Sequence, residues 1–289
     1  MACFLSYIYD NKDKGDGEMV CLEDKVCQGK RALLVISFGT SHRGTREKTL
    51  DVMERSLQQE FAGYEFRRAY TSPTIVRILK ERDGIAVDSV KEALERLLQD
   101  GFRTVLAQTT HVIRGFEYDR MKEVLGSYQG DFDKLVCGEP LLSGDQDYYE
   151  VVQALGKGLE GYRRPGSDLV LMGHGTEHAA NLSYARLQQE FLRQGFDDCL
   201  VGTAEASPTL KAMEELIRQR KPGRVVLAPF LMVAGEHACR DMAGDGEDSW
   251  KSRFLQRGCE VECVMKGLGE YEGIRQVYIR HAKEAEEGI

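Results

Sequence analysis

Leu33-Leu34-Val35-Ile36-Ser37-Phe38-Gly39-Thr40 and Leu169-Val170-Leu171-Met172-Gly173-His174-Gly175-Thr176 are the same pattern met twice: an apolar run of strand length, then a turn held by glycine. A continuous run of this kind reads as a strand buried on both faces, the mark of a parallel sheet. Working outward, similar runs recur at Phe66–Tyr70, Arg103–Gln108, Lys134–Cys137, Cys199–Thr203, Arg224–Pro229 and Cys259–Val264. Stretches of helical period lie between them. Leu50, Met53, Leu57 and Phe61 make one apolar stripe, and Val90, Ala93, Leu94, Leu97 and Leu98 another. Strands alternating with amphipathic helices predict an α/β protein with doubly wound parallel sheets.

The repeat extends further. Ala69-Tyr70-Thr71-Ser72-Pro73-Thr74-Ile75 matches Ala204-Glu205-Ala206-Ser207-Pro208-Thr209-Leu210 at almost the same distance from the first block. A weaker match sets Gly115-Phe116-Glu117-Tyr118 and Arg120-Met121 beside Gly235-Glu236-His237-Ala238 and, with one extra residue, Asp241-Met242. Self-similarity at so long a period means two domains related by internal duplication. In both halves Ser-Pro-Thr reads as a helix start, with Ser72 or Ser207 as cap and Pro73 or Pro208 in the first turn. The pattern breaks at Tyr162-Arg163-Arg164-Pro165-Gly166-Ser167. The expected division is therefore an extension over 1–30, an N-terminal domain over 31–163 and a C-terminal domain over 164–289 ending in a helix.

Composition narrows the class of function. An apolar fraction of 42% supplies real cores, and a net charge of −8 argues against a general nucleic-acid binder. An anionic ligand would then need a local basic pocket. No run is long enough to span a bilayer. The N-terminal Met1–Tyr9 stretch is apolar but lacks a cationic leader, so it reads as a short extension and the protein as cytoplasmic. The eight cysteines form no C-x-x-C pair and read as ordinary thiols. Cys259 and Cys263 could face one way, but a zinc site there lacks its other ligands.

Ligands of parallel α/β sheets gather beyond the carboxyl ends of the strands. The second half places a candidate at three such ends: His174 after one strand, Glu205 after the next, and His237 in the loop after Val225–Pro229. Two imidazoles and a carboxylate suit cobalt, nickel, iron or zinc with coordination positions left open. Taken singly, each has a plainer reading. A histidine between glycines is usually a turn residue, a glutamate before a helix usually answers the helix dipole, and His237 alone is a loop histidine. The repeat shifts the balance, because the first half sets Phe38, Tyr70 and Glu117 at the matching places. The scaffold does not need His-Glu-His to fold. A phosphate cradle lacks its third glycine and its Gly-Lys-Ser/Thr, and no Gly-x-Ser-x-Gly elbow exists for a serine hydrolase. His174 and His178 are four apart, but the flanking glycines argue against a helical zinc pair.

The strings Ser37-Phe38-Gly39-Thr40-Ser41, Gly173-His174-Gly175-Thr176-Glu177-His178, Val233-Ala234-Gly235-Glu236-His237-Ala238 and Asp241–Ser252 resemble those of the sirohydrochlorin cobaltochelatases of the anaerobic pathway to cobalamin. These are class II chelatases, similar in fold to protoporphyrin ferrochelatase. The likeness runs from about residue 31 to about residue 285. It implies a metal-binding set of His174, Glu205 and His237, with His174 as the proton acceptor, acting on cobalt(II) and sirohydrochlorin or precorrin-2. It also implies a macrocycle held bent between the halves. The family's Pro-Leu-His-Ile-Ile-Pro-Gly-Glu-Glu-Tyr string reads Thr109–Tyr118 here, a departure on the other side of the cleft.

On this reading no organic cofactor, nucleic acid or membrane is expected. A homo-oligomer is left open, as is the purpose of residues 1–30. Glu117 would take a second proton or orient the ring, unless it is a solvated carboxylate at a helix start. Arg43, Arg46 and Arg114, in strand-end loops, would meet the substrate's carboxylates. His111 is a pocket wall or a bonded turn residue. The rivals are an iron or nickel chelatase of the same fold, which ligand type does not separate, and a carrier that binds metal or tetrapyrrole without turnover.

Overall fold

A computed structural model describes residues 29–289. The expected extension over 1–30 therefore lies almost wholly outside the described residues, as do Cys3, Cys21 and Cys27. In chain order the elements are β1 (Lys30–Ser37), α1 (Arg43–Lys48), α2 (Leu50–Glu60), β2 (Glu65–Tyr70), α3 (Pro73–Asp83), β3 (Asp88–Ser89), α4 (Val90–Gln99), β4 (Phe102–Thr109), α5 (Phe116–Ser127), β5 (Lys134–Gly138) and α6 (Asp145–Gly158). After these come β6 (Ser167–Gly173), α7 (Leu182–Arg193), β7 (Cys199–Thr203), α8 (Leu210–Arg220), β8 (Arg224–Pro229), a π-helix (His237–Met242), α9 (Trp250–Gln256), β9 (Glu260–Cys263) and α10 (Glu272–Glu286).

Every strand pairing is parallel. One sheet has the order β3-β2-β1-β4-β5 and the other β7-β6-β8-β9. Chain direction reverses beside β1 in the first sheet and beside β6 in the second, which opens a crevice at the carboxyl ends of those strands.

Burial explains the arrangement. In β1, Leu33 and Val35 join Met53, Leu57 and Phe61 of the α2 region on one face. Ala32, Leu34 and Ile36 join Val90, Ala93, Leu94 and Leu97 of α4 on the other. Likewise Leu169 and Leu171 of β6 face one cluster, and Val170 and Met172 the opposite one. Side chains alternate along a strand, so a run without polar breaks demands cover on both sides. The expected doubly wound α/β class is what the chain forms.

One apolar cluster includes residues of both sheets, among them Leu106 and Leu171, together with the helical Leu155 and Val277. The C-terminal helix α10 belongs to it. Its buried stripe of Ile274, Val277, Tyr278 and Ala282 packs on β4, β5, α2 and α6, which are elements of the first half. Tyr278 Oη donates to the carbonyls of Thr110 (3.0 Å) and His111 (3.1 Å), and the buried His281 Nε2 meets Asp147 at 2.8 Å. Burial alone would raise the Asp147 carboxyl, but hydrogen bonds from His281, Arg280 and the Gly144 backbone outweigh it and hold it below its ordinary range.

The helix starts of the two halves differ from the expectation. In the first half Ser72 is the cap, its Oγ accepting from Ile75 N, and Pro73 opens α3. In the second half Ser207 and Pro208 stay in the loop, and Thr209 caps α8 by accepting from Ala212 N. The reason is a fold-back. Thr203 N donates to the Pro208 carbonyl at 2.7 Å and Thr203 Oγ1 to the Ala206 carbonyl at 2.6 Å, so the chain closes a loop before the helix can begin.

Candidate metal centre

The loops after β7, β6 and β8 lie side by side because β6 stands between β7 and β8, about 4.8 Å from each. His174 follows β6 directly. Its flanking glycines are required by packing: a Cβ on Gly173 would enter the Tyr184 ring. At Gly175, φ is +84°, and a Cβ would stand 2.8 Å from Ala206 N and from Thr203. The histidine therefore sits on a turn pressed against the β7 loop. Backbone pairing continues past the strand ends, with Ala204 N on the Gly173 carbonyl and Glu205 N on the His174 carbonyl, both at 2.9 Å. That pairing sets Glu205 beside His174.

His237 arrives from the third loop, on the first residue of the π-helix. His174 Nδ1 lies 3.6 Å from Glu205 Oε2, and His237 Nε2 lies 3.7 Å from Glu205 Oε1. The two imidazole centroids are 4.6 Å apart at 84°. One ligand atom from each of His174, Glu205 and His237 falls within 4.8 Å of the others, and no other such group of three occurs among the described residues. The side chains of His174 and Glu205 are about half exposed, 49% and 54%, so the cluster opens to the crevice. A borderline-hard set of two nitrogens and a carboxylate, with solvent on one side, fits a first-row divalent ion that must still accept other ligands.

The other expected site residues are each engaged by a carboxylate or a cation of their own half. Arg43 is bonded to Glu47 at 2.8 Å, Arg114 to Glu139 at 2.9 Å, and Glu117 faces Arg120 at 3.9 Å. Arg46 is largely buried, its Nε 3.6 Å from Asp51 and without a hydrogen bond. His111 ends the β4 loop with Nδ1 2.5 Å from Thr109 Oγ1 and a buried, unpartnered Nε2; burial pushes its imidazole down to about 4.

Register corrects one equivalence. Ser37 pairs with Tyr70 and Gly173 with Thr203, so Tyr70 corresponds to Thr203. Ser72 N reaches the Phe38 carbonyl as Glu205 N reaches that of His174, so the counterpart of Glu205 is Ser72, not Tyr70. Tyr70 is a core residue, 1% exposed. Phe38 and Glu117 do stand at the places of His174 and His237.

Contacts of three histidines were missed in the sequence. His237 Nδ1 lies 2.6 Å from Asp241 Oδ2, across the single extra residue of the second half. His42 and His178, which occupy equivalent turns, each reach the opposite half: His42 meets Glu236 at 3.6 Å, and His178 meets Asp119 at 3.3 Å and the Phe116 ring at 4.9 Å. The i, i+4 spacing of His237 and Asp241 was the available signal for the first. The cross-half contacts had none, since they depend on how the halves face each other.

Residues 31–287 match the family described as cobalt chelatase (CbiK). A sirohydrochlorin cobaltochelatase of Salmonella typhimurium is 38% identical over 256 residues, covering 89% of this chain and 96% of that protein. The sirohydrochlorin cobaltochelatase CbiKC of Nitratidesulfovibrio vulgaris is 34% identical over 257 residues, covering 87% of this chain and 89% of that protein. Among solved structures, SirB from Bacillus subtilis with Fe3+ aligns with a TM-score of 0.62 over 90% of this chain and 98% of that one, at 12% identity, a likeness of fold alone. With the match running through both sheets and all three loops of the candidate centre, this chain belongs to the CbiK cobalt chelatase family.

Proposed function

We propose that the protein inserts cobalt(II) into sirohydrochlorin, held in the crevice between lobes formed by residues 31–163 and 164–289, the second of which sends α10 back onto the first. The observation that carries this reading is the convergence of His174, Glu205 and His237 within 4.8 Å. Insertion replaces two pyrrole N–H protons by one dication, so two protons must leave and the ion must shed water. Three protein ligands leave positions free for water and then for ring nitrogens, whereas a fourth would trap the ion. Neutral imidazole suits both tasks, since it binds first-row ions and accepts protons near pH 7. His174, about half exposed at 49%, takes a ring proton and returns it to solvent. The second proton leaves through water or through Glu117 of the other lobe, whose side chain is 42% exposed.

Sirohydrochlorin carries carboxylates at its rim. Arg43 and Arg114, exposed by 81% and 52%, would meet them by exchanging their present partners Glu47 and Glu139. Arg46 is less free to do so, buried beside Asp51. No organic cofactor has a part in this scheme, and the reaction is assigned to the cytoplasm. No helix of the described residues is long and apolar enough to cross a membrane.

The test follows the visible spectrum of sirohydrochlorin with cobalt(II) and protein. Multiple turnovers above the spontaneous rate are expected, with His174→Ala abolishing the acceleration while the circular dichroism of the fold persists. Stoichiometric binding without turnover would instead make the protein a carrier. Running iron(II) and nickel(II) in competition tests the choice of ion in the same experiment.

A further inference from the structure

We propose that Asp241 is a positioning residue for the incoming cation: its carboxylate holds the His237 ring so that Nε2 faces Glu205 and His174. This rests on the His174, Glu205 and His237 reading of the centre and adds a residue behind it. Asp241 Oδ2 lies 2.6 Å from His237 Nδ1, and an ionised carboxylate only accepts hydrogen bonds. The ring hydrogen therefore belongs on Nδ1, which leaves the Nε2 lone pair pointing to where Glu205 Oε1 stands, 3.7 Å away. The carboxylate is itself gripped, since Arg240 Nε donates to Oδ1 at 2.8 Å.

The backbone is shaped for this contact. In the first half, Tyr118 and Met121 of α5 are buried three residues apart; in the second, Ala238 and Met242 are buried four apart. The extra residue is absorbed by the π-helix, where Ala243 N reaches back to the Ala238 carbonyl at 3.0 Å. A widened turn takes an inserted residue without pulling Met242 out of the core. Asp241 thus stands one turn beyond His237 in the half that gathers ligands, where the other half sets the cation Arg120 one turn beyond Glu117. The two imidazoles are then held differently. His174 Nδ1 is within hydrogen-bond distance of the neutral Gly175 carbonyl, at 2.9 Å, and no carboxylate stands closer to it than Glu205 at 3.6 Å. A carboxylate partner raises the donor strength of an imidazole ligand and stiffens it. His237 becomes the anchor of the ion and His174 the looser ligand, free to turn to a ring proton.

The experiment uses the full chain with Asp241→Ala and Asp241→Asn, and with His237→Ala and Glu205→Gln as controls. Cobalt(II) binding to the protein alone is titrated by its d–d absorption, and the His237 ring nitrogens of metal-free protein are followed by 15N NMR. Asp241→Ala is expected to weaken cobalt binding about 10- to 100-fold and to raise the KM for cobalt more than it lowers kcat. The His237 ring should pass from one tautomer to a mixture. Asp241→Asn, which keeps the shape and one acceptor, should fall between, and it decides the matter if the alanine variant does not fold. Wild-type cobalt affinity and an unchanged tautomer in both Asp241 variants, alongside lost binding in His237→Ala, would overturn the role of Asp241 and leave the centre standing. Wild-type binding in His237→Ala and Glu205→Gln would remove the centre itself, and Asp241 with it.

Discussion

After β1 the chain turns through Phe38 and Gly39; after β6 it turns through His174 and Gly175. Both glycines have positive φ, +96° and +84°, and both are pressed against the neighbouring strand end. After β2 a single residue, Thr71, leads into the Ser72 cap of α3, whereas five residues, Ala204 to Pro208, precede the Thr209 cap of α8. After β4 a regular helix starts through Glu117, and after β8 a π-helix starts at His237. The sheets are alike where they must bury strands. They part where a loop is free to lengthen, and each of the two extra lengths in the second half delivers a polar residue, Glu205 or Asp241, to one small volume. On like scaffolds the two imidazoles stand where the first half has Phe38 and Glu117, and the longer loops carry Glu205 and Asp241.

The most severe way to break this contrast is to make the halves alike. His174→Phe gives the second turn the residue of the first. Loss of the base and of one ligand should lower turnover by about 10²- to 10⁴-fold, the usual worth of a positioned proton acceptor. The reciprocal Phe38→His should create no cobalt site, because Ser72 and Glu117 occupy the other two places. Turnover of sirohydrochlorin and cobalt titration check both. Cobalt bound by Phe38→His in a His174→Phe background would mean that the halves are interchangeable.

The glycines separate folding from function. Gly39→Ala and Gly175→Ala both force a side chain into left-handed backbone, at about 1–2 kcal/mol each before contacts are counted. Added contacts are 2.5 Å to the Tyr70 ring for Gly39, and 2.8 Å to Ala206 N and Thr203 for Gly175. Both variants should melt at lower temperature by calorimetry. Only Gly175→Ala should also weaken cobalt binding, because the Glu205 loop is what its Cβ displaces.

Much of this was legible beforehand, and the misses have physical causes. The unbroken run Ala32 to Ile36 announced a strand covered twice, since no residue in it tolerates water. His174, Glu205 and His237 were legible as a set because each lies beyond the carboxyl end of a strand, where ligands of parallel sheets gather. Ser207-Pro208 misled because a cap is read from the residues that follow it, whereas this loop is also held by Thr203 behind it and by the distant β6 loop, through the Gly173 and His174 carbonyls and Asn181 Nδ2. The partner of α10 was hidden as well. Its apolar stripe states that one face is covered but not by which sheet, and the contacts of Tyr278 and His281 are formed with residues more than a hundred positions away.

A subtler difference concerns acid stability. The His111 and Leu231 carbonyls accept equivalent hydrogen bonds, from Leu141 N and Leu268 N, so a histidine in one half answers a leucine in the other. Burial holds the folded His111 at about 4 against an ordinary 6.5. Between those values the unfolded chain takes up a proton that the folded chain refuses, so this stabilising contribution is complete above pH 6.5 and is lost as pH falls toward 4. His111→Leu, which copies the second half, should flatten the unfolding free energy measured by urea titration over that window. An unaltered slope in the variant would mean that His111 is protonated without cost.

The smallest effect is expected at Glu117, the counterpart of His237. Its side chain is 42% exposed and its nearest cation, Arg120, is 3.9 Å away, so water screens it and can replace it as a proton acceptor. Glu117→Gln keeps the size and removes the charge. A change in kcat of about threefold or less, under 1 kcal/mol in the barrier, is expected, with cobalt affinity of the protein alone untouched. The same measurement on His237→Ala should lose cobalt binding altogether. A hundredfold fall in kcat for Glu117→Gln would assign the second pyrrole proton to the first lobe, and chemistry would then be divided between the halves instead of gathered in one.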